Sequence, residues 1–127
     1  MRHYTGLLAD VEHNLCQQLD AKLAPDNTMW YGRTKILLHH ALPIVFEYAV
    51  LTQTPLTKAT LLERLQLPCL LRLLRSSQIS ESSKALLRLY LKDLPGFNNG
   101  VFVQAAWQHG YITMMLETIE SDDLAST

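Results

Sequence analysis

No GxxxxGKS/T phosphate loop, GxGxxG turn, GxSxG elbow or HExxH pair occurs in this sequence. Their absence removes the usual sequence signatures of nucleotide binding, of an activated serine and of a zinc hydrolase. Cysteine is scarce: Cys16 and Cys69 stand alone, with no CxxC pair. That pattern points to two reduced, buried thiols rather than to a disulfide framework. Only 18% of residues are charged, against the usual quarter, so the surface is economical in charge and has apolar area to offer a partner. No apolar run approaches the roughly 20 residues of a membrane span, and the start, Met1-Arg2-His3-Tyr4, has no signal-peptide core. Strand signals are also missing. There is no sustained alternation, and Asn99-Gly100 lies between two helical patterns.

Helical periodicity takes their place. Leu7, Leu8, Val11, Leu15, Leu19 and Leu23 step by three and four, which predicts a helix over 5–22. Pro25-Asp26-Asn27-Thr28 breaks it and offers caps for a second helix over 29–51. Pro43 lies inside that helix and predicts a kink near 39–43 or two abutting helices. A short helix follows over 58–65, with Thr60-Glu63 spaced as a capping box and Thr57 as a rival cap. Pro68 opens the next helix, which reaches Arg75, and Ser80 caps one over 81–93. Leu94-Pro95-Gly96 stops that helix, Asn98-Asn99 precede a last one over 100–120, and the tail 121–127 frays.

In the last helix Phe102, Ala105, His109, Ile112, Leu116 and Ile119 form one seam, and Val103, Trp107, Met114 and Met115 add apolar surface elsewhere on the cylinder. A helix apolar on most sides is normally enclosed by others. The expected fold is therefore all-α: one domain over 1–127, a compact bundle of five to six helices around a long, largely apolar C-terminal helix. Gly110 sits inside that helix, where glycine costs about 1 kcal/mol relative to alanine, so a packing or functional reason is expected for it. Trp30, Tyr31 and Trp107 are expected in the core or at helix junctions; an exposed Trp30 would be an interface anchor.

Charge is unevenly placed. Residues 58–93 carry Lys58, Arg64, Arg72, Arg75, Lys84, Arg88 and Lys92 against Glu63, Glu81 and Asp93, while residues from 94 onward hold Glu117, Glu120, Asp122 and Asp123 and no Lys or Arg. Lys84, Arg88 and Lys92 step by four along one helix, Arg72 and Arg75 lie three apart on the preceding one, and Arg64 is just upstream. If those two helices pack side by side, the six residues make a patch able to touch phosphates or an acidic protein surface. The plain alternative is a solvated helix face. Adjacent His39 and His40 point about 100° apart on a helix, a poor arrangement for one metal, and no metal or other cofactor is expected. His109, on the apolar seam, is first a hydrogen-bonded core histidine.

Several phrases in order carry a resemblance: Met29-Trp30-Tyr31-Gly32-Arg33, then Leu37-Leu38-His39-His40-Ala41-Leu42-Pro43, then Ser83 to Phe97 ending in Leu94-Pro95-Gly96-Phe97, then Gln108-His109-Gly110-Tyr111-Ile112-Thr113-Met114. This order resembles the all-α domain of type IV coupling proteins, the TraD/TrwB-like ATPases of conjugation and type IV secretion, nearest to the Dot/Icm-related subgroup. It covers about residues 29–116. The resemblance implies an insertion on a RecA-like motor, at the cytoplasmic face of an inner-membrane-anchored hexamer. Such a domain receives a relaxase–DNA complex or an effector protein and passes it to the motor domain. It implies no ATP hydrolysis by this segment, no membrane insertion by it and no inherited site residue.

The expected function is thus a non-enzymatic recognition domain that binds a relaxase, a secreted effector or DNA through Arg64, Arg72, Arg75, Lys84, Arg88 and Lys92. Two alternatives stay open. One is a helical adaptor or secretion chaperone holding a partner peptide in an apolar groove. The other is a small enzyme, for which His109 beside a carboxylate is the first place to look.

Overall fold

A computed structural model describes residues 2–23, 28–94, 96–97 and 102–120, with side chains from Leu8 in the first helix and from Gln104 in the last. Among these residues there are six α-helices and no strand: α1 (Arg2–Ala21), α2 (Thr28–Thr52), α3 (Lys58–Arg64), α4 (Leu67–Leu74), α5 (Glu81–Lys92) and α6 (Phe102–Met114). A 3-10 turn, Met115–Thr118, continues α6.

Local chemistry sets most of the boundaries. Thr57 caps α3: its hydroxyl accepts the Thr60 amide at 3.2 Å while Thr60 Oγ1 accepts the Thr57 amide at 2.8 Å. The box therefore uses Thr57 and Thr60, and Glu63 has no part in it, because Lys58 already begins the helix. Pro68 sits in the first turn of α4, where a missing amide hydrogen costs nothing. Ser80 caps α5 and is itself gripped from α2: Glu47 accepts the Ser80 amide at 2.8 Å, the Ser80 hydroxyl at 2.9 Å and the Ser83 hydroxyl at 2.7 Å. A carboxylate at the positive end of a helix is favourably placed, so Glu47 fixes where α5 starts relative to α2. α2 runs unbroken through Pro43, so it is one helix and not two. It ends in a Schellman turn, with Gln53 left-handed at φ 54°, the Gln53 amide on the Val50 carbonyl and the Thr54 amide on the Ala49 carbonyl. Gly96 takes φ 85° in the turn after α5, a conformation that favours glycine. The proposed caps Pro25, Asp26 and Asn27, the residues Pro95, Asn98 and Asn99, the side chains of Leu7, Phe102 and Val103, and the tail 121–127 lie outside the described residues.

The centre of the bundle is α2, not the C-terminal helix. It packs against α1, α4, α5, α6 and the 3-10 turn. Ten of its residues are buried, from Tyr31 and Thr34 through Leu37, Leu38, Ala41, Leu42, Ile44, Val45 and Phe46 to Ala49, and they cover most of its circumference. α6 is shorter than expected and buries one seam only. Ala105, His109, Ile112, Leu116 and Ile119 face inward as their spacing predicts, whereas Trp107 and Met114 point to solvent. α2 is central because five elements pack on it, whereas α6, no less apolar, keeps part of its apolar surface facing outward. α2 is also long and apolar enough, by length and composition, to cross a membrane, contrary to the expectation that no segment is; half of that window is buried within the fold.

α1 closes one side through Val11, Leu15 and Leu19, all buried. Polar ties reinforce it: Lys35 Nζ–Asp20 at 2.6 Å, His39 Nδ1–Glu12 at 3.2 Å and Lys22–Glu120 beyond the 3-10 turn. Lys22 lowers the pKa of the Glu120 carboxyl through hydrogen bonding and charge. Gln18 accepts the Glu120 amide, and Lys58 Nζ donates to the Glu117 carbonyl. These last two bonds tether the end of the 3-10 turn to α1 and α3.

Candidate functional site

The six basic residues are spread over three helices, Arg64 on α3, Arg72 on α4 with Arg75 at its end, and Lys84, Arg88 and Lys92 on α5. α5 packs on α2, while α4 packs on α2 and α3. Lys84 is buried, at 7% exposure, and its ammonium lies 3.7 Å from Glu81. Arg88 shares the same carboxylate at 3.6 Å. Arg64 lies over the Tyr48 ring, 4.4 Å from its centroid, and Arg72 donates to the Cys69 sulfur at 3.4 Å. Arg72, Arg75, Arg88 and Lys92 are exposed. Lys84 faces inward because Ser83, Leu87, Tyr90 and Leu91 define the buried side of α5, and position 84 lies three and seven residues from two of them. An acidic substitution at 84 would bury a second carboxylate beside Glu81, so Lys84 is not a free binding residue.

His109 is a core residue whose ring meets a tyrosine and a backbone carbonyl rather than a carboxylate. It is 2% exposed; its Nδ1 lies 2.7 Å from the Tyr90 hydroxyl and its Nε2 meets the Leu65 carbonyl. A carbonyl only accepts, so Nε2 carries the hydrogen, Nδ1 accepts, and Tyr90 donates. The network links α3's end, α5 and α6. Burial lowers the His109 pKa, with the Leu65 bond opposing, and burial raises that of Tyr90, with Arg33 opposing. Both shifts favour the neutral forms that the network needs. Among the described residues no buried side-chain nitrogen or oxygen lacks a partner, and no group of three potential metal ligands occurs. His39 and His40 diverge as expected, their rings nearly perpendicular at 87°, one directed to Glu12 and the other to the Ile36 carbonyl. Both cysteines are free and half-buried, and burial raises the pKa of Cys16.

What does converge is an apolar hollow where α2, α5 and α6 meet. It encloses about 220 Å³ between Ile36 and His40 of α2, Leu89 and Tyr90 of α5, and Gln108 and Ile112 of α6, with Arg33, Asp93 and Leu94 completing the wall. Two of its rim residues are large, apolar and exposed: Ile36 at 54% and Leu89 at 45%. Arg33 joins the hollow to an aromatic cluster. Its guanidinium donates to Gln108 Oε1 at 3.0 Å and lies 5.2 Å from the centre of the Trp30 ring. Trp30 stacks on Tyr111 at 5.2 Å, and Tyr111 meets Trp107 edge-on at 4.7 Å. Trp107 is 55% exposed, so it is not the core or junction residue that the sequence implied; Trp30 is half-buried, and Tyr31 is in the core.

Trp107, Gly110, Tyr111 and Met114 follow one another at i, i+3, i+4 and i+7, and all four are exposed. They form a second stripe on α6, opposite the buried one. A Cβ placed on Gly110 would meet nothing within 4 Å, so among the described residues there is no packing reason for this glycine. Sequence spacing alone contains this stripe; what it cannot show is which of two apolar stripes on one helix faces the core.

A second, more open concavity of about 470 Å³ lies between α2 and the start of α5, floored by Leu8, Pro43, Val50, Leu51 and Leu86. Its polar groups, Glu47, Ser80 and Ser83, are committed to capping α5. The hollow at α2, α5 and α6 is therefore the candidate site. Comparison with known proteins adds no relative to this picture: no family model, no curated protein and no solved structure matches the chain.

Proposed function

We propose that this chain is a non-enzymatic docking module that receives an apolar segment of a partner protein on the face shared by α2, α5 and α6. One observation carries this reading. Ile36 and Leu89 are large, apolar and exposed on the rim of a hollow of about 220 Å³, and the exposed rings of Tyr111 and Trp107 connect to its wall through Trp30 and Arg33. Contiguous exposed apolar surface of this kind, edged by polar groups, is characteristic of protein interaction sites. The groove reading is thereby favoured over the basic patch, whose members are spread over three helices, with Lys84 buried. In the setting that the type IV coupling-protein resemblance supplies, the docked segment belongs to a relaxase or secreted effector on its way to the motor domain, on the cytoplasmic side of the membrane. DNA then travels with the partner rather than on this surface.

The test places a photo-crosslinking amino acid at Leu89 or, separately, at Arg75, in the full-length protein in its own cells. Leu89 is expected to yield a discrete adduct with one partner, lost on Ile36→Asp, while Arg75 yields none. Adducts from Arg75 alone, or tight salt-sensitive binding of labelled duplex DNA by the isolated chain, would move the site to the basic residues and overturn the groove.

A further inference from the structure

We infer that the partner segment enters the hollow as an extended, uncharged stretch of chain, with one large apolar side chain filling it and the main-chain groups on either side pairing with Gln108 and His40. This rests on the docking reading above and adds the conformation and chemistry of what docks.

Size is the first argument. Ile36 and Leu89 form the open rim of the hollow, and the buried residues Leu94 and Ile112 lie at its base. An apolar cavity of about 150 Å³ takes one benzene ring. A hollow of about 220 Å³ therefore takes one side chain of leucine to tryptophan size, not a row of them.

Hydrogen bonding is the second. A guanidinium only donates, so the Gln108 atom that meets Arg33 at 3.0 Å is the amide oxygen. The Gln108 amide nitrogen, with two hydrogens, has no hydrogen-bond partner among the described residues. On α2, His40 Nδ1 donates to the Ile36 carbonyl at 2.9 Å, which leaves Nε2 of the neutral imidazole as an unpartnered acceptor. Neither free atom is sealed in the core, since no buried side-chain nitrogen or oxygen lacks a partner among the described residues. A donor from α6 and an acceptor from α2 thus border one apolar lining.

Their spacing selects the conformation. Arg33, Ile36 and His40 follow one another at three and four residues along one side of α2. Gln108 is bonded to Arg33, so the donor and the acceptor stand roughly 10 Å apart along the helix axis, with Ile36 between them. That is the reach of about three residues of extended chain. An extended residue offers an amide and a carbonyl beside its side chain, whereas a helix uses both groups on its own backbone. Arg33 and Asp93 place one charge of each sign on the wall, so the complementary segment carries no net charge.

The test screens the whole chain against two displayed libraries, random linear 12-residue peptides and helix-locked peptides with a leucine stripe. The linear library is expected to yield binders that share one large apolar residue with uncharged neighbours. The tightest of them, labelled and titrated, should bind at least tenfold more weakly to Ile36→Asp and to Gln108→Glu, and equally to Arg72→Gln. Gln108→Glu keeps the oxygen that Arg33 meets and removes the donor. N-methylation of the peptide amides flanking the apolar residue should weaken binding to the parent by a similar factor. Binders from the helix-locked library alone, charged residues enriched beside the anchor, or indifference to both Gln108→Glu and N-methylation would overturn the extended, uncharged occupant and leave the docking face in place. If neither library yields a binder sensitive to Ile36→Asp, the docking reading falls with it.

Discussion

The two sides of α6 differ in what the fold makes of them. The inner side, Ala105, His109, Ile112 and Leu116, is closed over by α2 and α5, and its one ionisable group is hydrogen-bonded at both nitrogens. The outer side, Trp107, Gly110, Tyr111 and Met114, is nearly as apolar yet makes only aromatic contacts with α2 and within its own turn. Hydrophobic residues alone therefore do not say where a core is. What separates the two sides is closure: the inner one has all its polar atoms satisfied and its apolar atoms packed, and the outer one is left wet. The comparison teaches that the outer side adds little to folding, and it is breakable by measurement.

The largest expected effect tests closure directly. Leu116→Ala removes a fully buried side chain and should lower unfolding free energy by about 2–5 kcal/mol in a urea titration. Trp107→Ala deletes a larger side chain, but one that is half in water and touches chiefly Tyr111, and should cost no more than about 1 kcal/mol. Equal losses from the two variants would erase the distinction between the sides.

The next effect is electrostatic and belongs to the inner side. Burial lowers the His109 pKa in the folded chain below the ordinary 6.5 that the unfolded chain retains. The unfolded state therefore takes up a proton first as pH falls. Stability conferred by neutral His109 is complete above about pH 6.5 and declines as pH drops toward the folded pKa, by at most about 1.4 kcal/mol per pH unit. Urea midpoints between pH 8 and pH 5 should show this decline in the parent and a flatter profile in His109→Gln, above the range in which carboxylates titrate. Tyr90→Phe withdraws the hydroxyl that donates to Nδ1 and should cost about 1–3 kcal/mol at pH 8, because it leaves a buried acceptor unpaired.

The order and type of helices were legible in the sequence because each start carries its own chemistry, Thr57, Pro68 and Ser80 among them, and because the seam from Ala105 to Ile119 keeps strict helical spacing. The choice of central helix was not. Pro43 made 29–51 read as interrupted, whereas α2 accommodates it and is apolar on most sides. The basic ridge loses Lys84 for a reason of rotation. Lys84, Arg88 and Lys92 drift around α5 by roughly 40° per step, which is enough to carry Lys84 into the seam of Leu87 and Leu91 while Arg88 and Lys92 stay outside. That seam was available, since 84, 87, 91 and 94 are spaced three, four and three apart. The candidate site itself was only half visible. Its residues were noticed singly, Trp30, Trp107 and Gly110, but the ladder from Arg33 through Trp30 and Tyr111 to Trp107 joins helices far apart in sequence, and no local pattern encodes it.

The smallest effect is the one that sharpens the comparison most. Gly32 in α2 and Gly110 in α6 both lie within helices, and at neither would an added Cβ meet any atom within 4 Å. Alanine at either position should therefore raise stability by about 0.5–1 kcal/mol, through helix propensity and a less disordered unfolded chain. Thermal melts of Gly32→Ala and Gly110→Ala are expected to shift upward by similar amounts, since no described atom crowds either position. If Gly110→Ala instead lowered the melting temperature, the glycine would serve the fold after all, and the outer side of α6 would have to be counted with the inner one.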